Sequence, residues 1–414
     1  MSIRIRFSLE PKKKMFSKIT WNLQSAEQMI KSLAKHLGYH CFRIEGFFLV
    51  QLCPEGYVWF NWNKRKLHGE SQTNIAGPGF HAAVIDFLEK LAINEKLKLK
   101  VEDRTGYFIK RDFLVMRQKY FYQWFVNLID LVSGWGESGE YMFCWPAVFY
   151  IPAQQEGKLI THIRSYSWKE LNGMIHSGLT VAFAKDFFVW NEQETDAWFY
   201  RNSALVLLNQ SCYFMPSKRS MQDLYINRRI IELLETAYTM DAKMPFPQKA
   251  YLELCFLHEH APMVMEEVVA LQGEENIGCR KHMVYRKIGN MSFGIPGNFL
   301  YDETDRTMDH YYDGIHYGGH DYYIYAAVFE GREAEFKERW FEQGKVEEIF
   351  DFDIEKAKAR LAFYEPEEKN GEMHYGVSAQ VLYKDQRMNI NITCRKPGEK
   401  NWALSLVKSI KITE

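Results

Sequence analysis

The residues whose types and spacing best suit binding chemistry lie in one short stretch, SQTNIAGPGFHAAVIDFLEKL, at positions 71–91. Two glycines flank a proline, a histidine follows, and an apolar-periodic helical segment begins at once. The first N–H groups of a helix have no partner within the helix and carry partial positive charge, so they can bind an anion. If this turn is open to solvent, it predicts a phosphate- or carboxylate-binding site formed by Thr73, Asn74, Gly77, Gly79 and His81.

The same stretch also fits a purely structural corner. It matches neither G-x-x-x-x-G-K-[ST] nor G-x-G-x-x-G, because the lysine and the further glycines of those phosphate loops are absent. Pro78 suits the first position of a helix, and Gly79 suits close packing. We favour the corner, and the distinction depends on whether Gly79 and His81 face solvent together.

A second cluster combines histidines with carboxylates: His310, His316, His320, Asp309, Asp313 and Asp321. Imidazole and carboxylate are normal zinc or iron ligands. The run is rich in glycine and tyrosine, however, which favours a strand or loop, and residues four apart on a strand lie ~13 Å from each other. We therefore predict no metal and no cofactor, with His316 and His320 as the weak candidates for a metal site.

His258 and His260 flank Glu259 without a recognised zinc spacing, and Pro262 follows them closely. This pattern predicts a helix end, where histidines interact favourably with the negative end of the helix dipole. The chain has no G-x-S-x-G, C-x-x-C or H-R-D signature. A Ser-His-Asp triad is defined by geometry, which sequence alone does not supply, so we predict no catalytic residues.

Composition limits the classes of partner. The 414 residues include 52 Lys and Arg against 53 Asp and Glu, so no overall charge draws the chain to nucleic acid or to an anionic membrane. Seven cysteines are scattered singly, a pattern typical of reduced thiols in the cytoplasm. No segment approaches ~18 consecutive apolar residues, which predicts neither secretion nor a membrane span. The aromatic content of 15% suits half-buried sheets and binding surfaces.

The N-terminal part of the chain alternates between strand and helix patterns, which predicts an α+β fold with antiparallel sheets. An alternating strand over 3–7 precedes a helix with Ser25 as its N-cap and Gly38 as its stop. Three strands follow, HCFRIE, FFLVQL and YVWFNW, and then the helix after the turn. Next come a charged strand, KLKVED, a long helix over about 112–132, and the strand pair FCWPAVFYIP and GKLITHIRSY.

The middle of the chain is less regular. LTVAFAKDFFVW suits a strand, and ETDAWFYRNSALVLLN suits either a strand or a helix. SMQDLYINRRIIELLETAYTM predicts a helix capped by Ser220, and YLELCFLHEHAPMVMEEVVALQ predicts a helix bent or split near its proline. The predicted domains are an N-terminal α+β domain over 1–216, a helical segment over 217–275 and a C-terminal domain over 281–414.

The C-terminal third opens with VYRKIGNMSFGIPGNFLYDE, a strand ending in a turn, and continues through a tyrosine-rich ribbon and the charged helix EAEFKERWF. Two strands, HYGVSAQVLYKD and RMNINITCRK, precede a K-P-G-E-K loop and the helix NWALSLVKSIKI. This closing order, and the opening F-G-I-P-G-N-F, resemble the PsbP/DcrB-like family over about Met283 to Ile412. The resemblance implies an antiparallel sheet covered by helices, used mostly to bind other proteins, and it supplies no shared catalytic residues.

Two functions follow as hypotheses. The first is a cytoplasmic protein-binding or adaptor protein with a protein partner, for example a chaperone or immunity-type partner of a secreted effector, since some bacterial relatives act as chaperones for secreted toxin segments. The alternative is a hydrolase or transferase that acts on an anionic small molecule at the Asn74 to His81 turn. The sequence does not identify a small-molecule ligand.

Overall fold

The structure is a computed structural model. It describes residues 2–12, 21–44, 46–63, 66–133, 141–142, 151–152, 158–177, 180–212, 214, 221–266, 268–274, 277–305, 308–313, 322–330, 341, 344–369 and 371–412. The chain forms two compact units. Unit 1 comprises Met1–Trp145, Gln155–Ser211 and Tyr225–Ile277, and unit 2 comprises Pro146–Gln154, Cys212–Leu224 and Gly278–Glu414.

An antiparallel sheet of six described strands forms the centre of unit 1. The strands are β1 (Arg4–Pro11), β2 (His40–Ile44), β3 (Phe47–Cys53), β4 (Gly56–Asn63), β5 (Lys66–Gln72) and β6 (Leu97–Asp103). Their spatial order is β2-β3-β4-β5-β1-β6. On β1, Ile5, Phe7 and Leu9 are buried while Arg6 is exposed. The alternation gives the sheet one buried and one solvated face.

Two helices, α1 (Leu23–His36) and α2 (Pro78–Asn94), contribute apolar side chains to the core of unit 1. Phe87 of α2 lies edge-on to Phe60 of β4 with 6.5 Å between the ring centroids, and Phe60 contacts Phe7 at 5.2 Å. Gly69 on β5 makes room for Phe7, because a Cβ there would lie 2.2 Å from its Cζ. These aromatic contacts pack β1, β4 and α2, the helix that follows the predicted turn, against one another.

The rest of unit 1 is mainly helical. Its described elements are α3 (Tyr107–Lys110), α4 (Phe113–Met116), a π-helical turn (Arg117–Tyr122), α5 (Gln123–Ser133), β7 (Tyr141–Met142), β9 (Lys158–Ile160), β10 (Ser165–Ser167), α6 (Trp168–Ser177), α7 (Thr180–Phe187), α8 (Ala197–Gln210) and α10 (Gln248–Leu257). Helix α9 (Met221–Met240) lies in unit 1 from Tyr225 onward. Strands β10, β9 and β7 form a small sheet in that order.

Buried ion pairs hold several of these helices together. The carboxylate of Asp186, on α7, binds the guanidinium of Arg201, on α8, and that of Arg164, the latter at 2.7 Å. Arg164 also pairs with Glu170 of α6 at 3.0 Å. Arg201 is fully buried, so its charge depends on this partner and on the hydrogen bonds that it donates to Asn202.

Unit 2 is built on antiparallel strands. One sheet has the order β21 (Lys411–Ile412), β12 (Met291–Pro296), β11 (Met283–Ile288) and β8 (Ile151–Pro152). The larger sheet has the order β13 (Leu300–Asp305), β14 (Met308–Tyr312), β15 (Tyr322–Glu330), β20 (Gln386–Cys394), β19 (Glu372–Tyr383), β17 (Ala357–Tyr364) and β16 (Val346–Ile354), with β18 (Glu367–Lys369) paired to β19. Helix α11 (Lys400–Lys408) buries Ala403, Leu406 and Val407.

The predicted α+β class with antiparallel sheets is confirmed. Several boundaries differ from prediction. Helix α1 is capped by Asn22, whose Oδ1 accepts the N–H of Ser25 at 2.8 Å, so Ser25 lies inside the helix as the other half of a capping box. The predicted strand LTVAFAKDFFVW contains α7, and the predicted first strand of the C-terminal third is a hairpin of β11 and β12. Ser220 and most of EAEFKERWF lie outside the described residues.

The long continuous part of unit 2 begins at Gly278, and residues 225–277, most of the predicted helical segment, lie in unit 1. Among the described residues, no helix combines the length and the apolarity that crossing a bilayer requires.

Candidate functional site

The turn before α2 is closed by a segment that follows α7. A Cβ on Gly79 would lie 2.1 Å from the backbone oxygen of Glu192 and 2.1 Å from Cδ1 of Trp190. Gly77 has a φ of 108°, and a Cβ there would lie 2.5 Å from the backbone oxygen of Trp190. Both glycines are therefore required by close packing, and at Gly77 also by a backbone conformation that favours glycine.

The N–H groups that an anion would need are already used. The N–H of Gly79 donates to the oxygen of Trp190 at 2.9 Å, and the N–H of Trp190 donates to the oxygen of Ala76 at 2.8 Å. The N–H of Gly77 donates to Thr73 and that of His81 to Gly77. Because these donors are occupied, the turn lacks the free N–H groups that let a helix N-terminus bind an anion.

His81 is fully buried, with no exposed surface. Its Nδ1 lies 2.9 Å from the hydroxyl of Thr73, and its Nε2 lies 3.3 Å from Oδ1 of Asp103 and 3.4 Å from the hydroxyl of Thr105. The ring of Phe121 contacts it edge-on at 5.7 Å. The imidazole thus links α2 to the end of β6 through hydrogen-bonding groups that are satisfied within the core.

Asp103 is the acidic partner of His81. Burial raises the pKa of its carboxyl, but the hydrogen bond and charge of His81, together with the Phe108 N–H at 2.9 Å and the Thr105 hydroxyl at 2.7 Å, outweigh burial and hold the pKa well below its usual range. The carboxylate form is therefore stabilised in the folded protein by hydrogen-bond donors of the chain itself.

The predicted ligand residues are all present in this corner, and none of them forms an open site. Thr73, Asn74, Gly77, Gly79 and His81 are buried. Gly79 and His81 do not face solvent together, which the anion-binding interpretation required. The structure favours the structural corner, and its physical reason is the docking of residues 190–192 against the start of α2.

The predicted metal candidates His316 and His320 lie outside the described residues. Within the described part of the chain, no group of three His, Cys, Asp or Glu side chains is arranged to hold a metal ion. His310 instead stacks on Tyr325, with 4.2 Å between the ring centroids and 6° between the planes. His258 is the C-cap residue of α10, which confirms the predicted helix end.

A large open cavity of about 1000 Å³ lies on the solvated face of the unit 1 sheet. Trp59 and Phe47 contact each other there at 5.8 Å, and Glu70 pairs with Arg6 at 3.5 Å and with Arg4 at 3.7 Å. Glu70 and both arginines are already paired with one another, as is usual on the solvated face of an antiparallel sheet. The cavity therefore indicates no particular ligand.

A different surface of unit 1 is apolar and exposed. Helix α10 and the segment after it expose large apolar side chains, of which Phe256 is 85% and Met265 is 75% exposed. We call this set the apolar ridge: Leu252, Phe256, Met263, Met265 and Val269. Single exposed apolar side chains are ordinary, but a group of large ones marks a binding surface or an aggregation-prone site.

Hydrogen bonds place the ridge residues on one helix and on the segment that runs beside it. Gln248, Leu252 and Phe256 repeat every four residues and so share one face of α10. The side chain of Gln248 donates to the backbone oxygen of Glu266 at 2.8 Å, and the hydroxyl of Tyr251 accepts the N–H of Met263 at 2.7 Å. The segment carrying Met263 and Met265 therefore returns along the same helix.

Charged side chains of both signs lie around the ridge. Lys249 of α10, Glu259 and Glu266 are exposed beside it, and Glu235 pairs with His260 at 2.8 Å. Methionine suits such a surface, because its flexible thioether adapts to differently shaped partners. Sequence reasoning missed the ridge. The available signal was that α10 is apolar on more than one face, which is unusual for a helix with one buried side.

No protein-family model and no curated protein sequence matches the chain. Similar solved structures include cyanobacterial PsbP from Synechocystis, with 7% identity over 31% of this chain and 92% of that chain and a TM-score of 0.26. They also include the Ran-binding protein Mog1p of Saccharomyces cerevisiae, with 11% identity over 32% of this chain and 97% of that chain and a TM-score of 0.23. A Bacteroides thetaiotaomicron protein has 12% identity over 30% of this chain and 46% of its own length, and a TM-score of 0.24.

The sequence of the C-terminal third resembles the PsbP/DcrB-like family, and a PsbP structure is among the similar structures. The comparison does not specify which part of this chain resembles it. Identities of 12% or less and TM-scores of 0.26 or less carry no argument about function.

Proposed function

We propose that the protein binds another protein through the apolar ridge. The observation that carries this proposal is the exposure of Phe256 on α10 and of Met265 on the segment that returns along that helix. Burying one such side chain stabilises a complex by about 1.5–3 kcal/mol, so these two supply about 3–6 kcal/mol before the costs of association. Large apolar side chains that cluster at the centre of a surface are the usual source of binding energy in protein interfaces.

The charged residues beside the ridge specify the partner further. Glu259 and Glu266 favour a partner with lysine or arginine opposite them, and Lys249 favours an acidic residue opposite it. The exposed face of α10 from Gln248 to Phe256 is about 12 Å long at 1.5 Å per residue, which matches two to three turns of a partner helix. An amphipathic helix with apolar residues at i and i+4 and charges of both signs along their border fits these dimensions and charges.

A chaperone or immunity-type role toward a secreted effector is the finer form of this proposal, and it rests on the PsbP/DcrB-like resemblance of the sequence. A cytoplasmic location is part of the proposal, supported by the free thiols of the described cysteines Cys41, Cys53, Cys255 and Cys394. The alternative of an enzyme at the Asn74 to His81 turn has no supporting observation, because the turn is buried.

Affinity purification of the full chain from the cells that encode it tests the proposal. A double variant, Phe256→Ser with Met265→Ser, should reduce recovery of a stoichiometric partner at least tenfold. The matched control is Ile109→Ser with Leu114→Ser, which also replaces two exposed apolar residues of unit 1 and should leave recovery unchanged. Equal recovery with both double variants, or no stoichiometric partner with the natural sequence, would contradict the proposal.

A further inference from the structure

A polar groove of about 700 Å³ crosses the larger sheet of unit 2. The side chains that matter for its chemistry come from β15, β17, β19 and β20: Tyr325, Tyr364, His374, Ser378, Asn391 and Thr393. The strand register places Tyr325 opposite Asn391 and Asn391 opposite Ser378, so these three form one row across adjacent strands. Groups held in such a row on paired strands are positioned by the sheet itself.

The hydrogen bonding within this row leaves a donor for a ligand. The hydroxyl of Ser378 donates to Oδ1 of Asn391 at 2.6 Å, which fixes the orientation of the amide. The amide nitrogen of Asn391 is then on the other side of that group and keeps two N–H donors. Thr393, two residues further along the same strand, adds a hydroxyl that both donates and accepts.

The ring of Tyr364 forms a fixed side of the groove. A Cβ on Gly344 would lie 3.0 Å from its Cδ1, and one on Gly376 would lie 3.3 Å from its Cδ2, so the ring is held closely along both edges. Its hydroxyl is buried and has no hydrogen-bond partner among the described residues. Because that hydroxyl has almost no accessible surface, a ligand in the groove meets the ring of Tyr364 and does not reach its oxygen.

Tyr325 gives the groove a fixed aromatic surface. Its ring is stacked on His310 at 4.2 Å, and 37% of the residue is exposed. A stacked ring loses little further freedom when a flat apolar face of a ligand packs against it.

The charged residues at the groove neutralise one another. Lys345 pairs with Glu365 at 3.7 Å and Lys369 pairs with Glu367 at 2.9 Å. The groove therefore has two positive and two negative side chains in pairs, and it lacks the excess of positive charge that a phosphate or carboxylate ligand would need. The other side chains of the groove carry hydroxyl, amide, imidazole and aromatic groups.

We propose that this groove binds a neutral saccharide. Sugar hydroxyls both donate and accept hydrogen bonds, which suits Asn391 and Thr393, and the C–H face of a pyranose ring packs against an aromatic ring such as that of Tyr325. A cavity of about 700 Å³ lies within the usual range for small-ligand sites. The site lies in unit 2 and is independent of the apolar ridge.

Saturation-transfer NMR on the full chain tests the proposal, with maltopentaose, cellopentaose, xylopentaose, mannopentaose and N-acetylated chitopentaose as probes. We expect at least one of the five to bind saturably, with a Kd below 1 mM. Asn391→Ala should weaken that binding at least tenfold, and Thr393→Val, which keeps the branched shape and removes only the hydroxyl, should weaken it about threefold to tenfold. Lys358→Ala, an exposed position of β17 outside the groove, should leave the Kd unchanged.

Three outcomes would overturn the proposal: no transfer to any of the five probes, transfer that Asn391→Ala and Thr393→Val leave unchanged, or displacement of the bound probe by inorganic phosphate at equal concentration. Thermal unfolding of each variant, monitored in parallel, separates loss of binding from loss of folding, since Thr393→Val retains the branched side-chain shape.

Discussion

Gly79→Ala distinguishes a closed corner from an open turn. Gly79 is the second residue of α2, and in open space an alanine at a compatible glycine position stabilises a protein by about 0.4–1 kcal/mol. Here the new Cβ would lie 2.1 Å from Glu192 O and from Trp190 Cδ1, whereas unstrained carbon contacts are about 3.5–4.0 Å. The Trp190 ring is packed on Phe199 at 4.7 Å, so it has little room to move away.

We therefore expect Gly79→Ala to destabilise the protein by about 3 kcal/mol, at the upper end of the usual cost of overpacking. That corresponds to a fall in Tm of about 6–12 °C for a domain of this size. Gly173→Ala is the matched control, because Gly173 lies within α6 with no atom within 4 Å of its would-be Cβ, and it should raise Tm slightly.

Urea and thermal unfolding of the two variants measure both effects. A Gly79→Ala protein that is as stable as the natural one, or that gains stability as Gly173→Ala does, would refute the close packing of the corner. A rise in Tm of the natural protein on addition of inorganic phosphate, lost in His81→Ala, would instead restore the anion-binding interpretation, because a ligand that binds only the folded state stabilises it.

Three further predictions concern buried charges. The pKa of Asp103 is lower in the folded protein than its value of about 3.9 in the unfolded chain, so its carboxylate stabilises the fold above pH 3.9. This contribution is lost as pH falls through the folded pKa. The urea midpoints of the natural protein and of Asp103→Asn should therefore differ at pH 7 and converge toward pH 2. Burial raises the pKa of Glu55 to about 7 against a weaker lowering by Gln210, so its carboxyl favours folding at low pH and opposes it as pH rises through 7. Glu55→Gln should therefore raise Tm at pH 8 and change it little at pH 5. Asp186→Asn leaves Arg201 buried with a weakened partner and should lower the free energy of unfolding by about 3–5 kcal/mol, measured in urea.

Local signals in the sequence predicted many element ends. Asp112 accepts the N–H of Val115 at 3.0 Å at the start of the long helix that was predicted over about 112–132, and Gly38 follows the end of α1 with a φ of 74°. His258 caps α10. These features depend on residues within one helical turn of each other, which is why a sequence pattern can specify them.

Features that depend on distant residues were not predictable. Strand β5 was missed, because its outward residues are polar and its inward Gly69 leaves the space that Phe7 fills from another strand. The burial of His81 depends on Asp103, which the sequence gives no means of pairing with it. The apolar ridge was missed for a related reason: the pattern of α10 contains apolar residues on both faces, and only the folded structure shows that Phe256 is the side left uncovered.

The two hydrogen bonds that close the corner are reciprocal: Gly79 donates to Trp190, and Trp190 donates to Ala76. They join two segments that are far apart along the chain but belong to one unit. The amide protons of Gly79 and Trp190 should therefore become exchangeable with deuterated solvent in the same opening event. The deuterium uptake of two peptides that cover these residues would therefore show whether the helical half of unit 1 has docked on its sheet. The same measurement applies in folding experiments and at equilibrium.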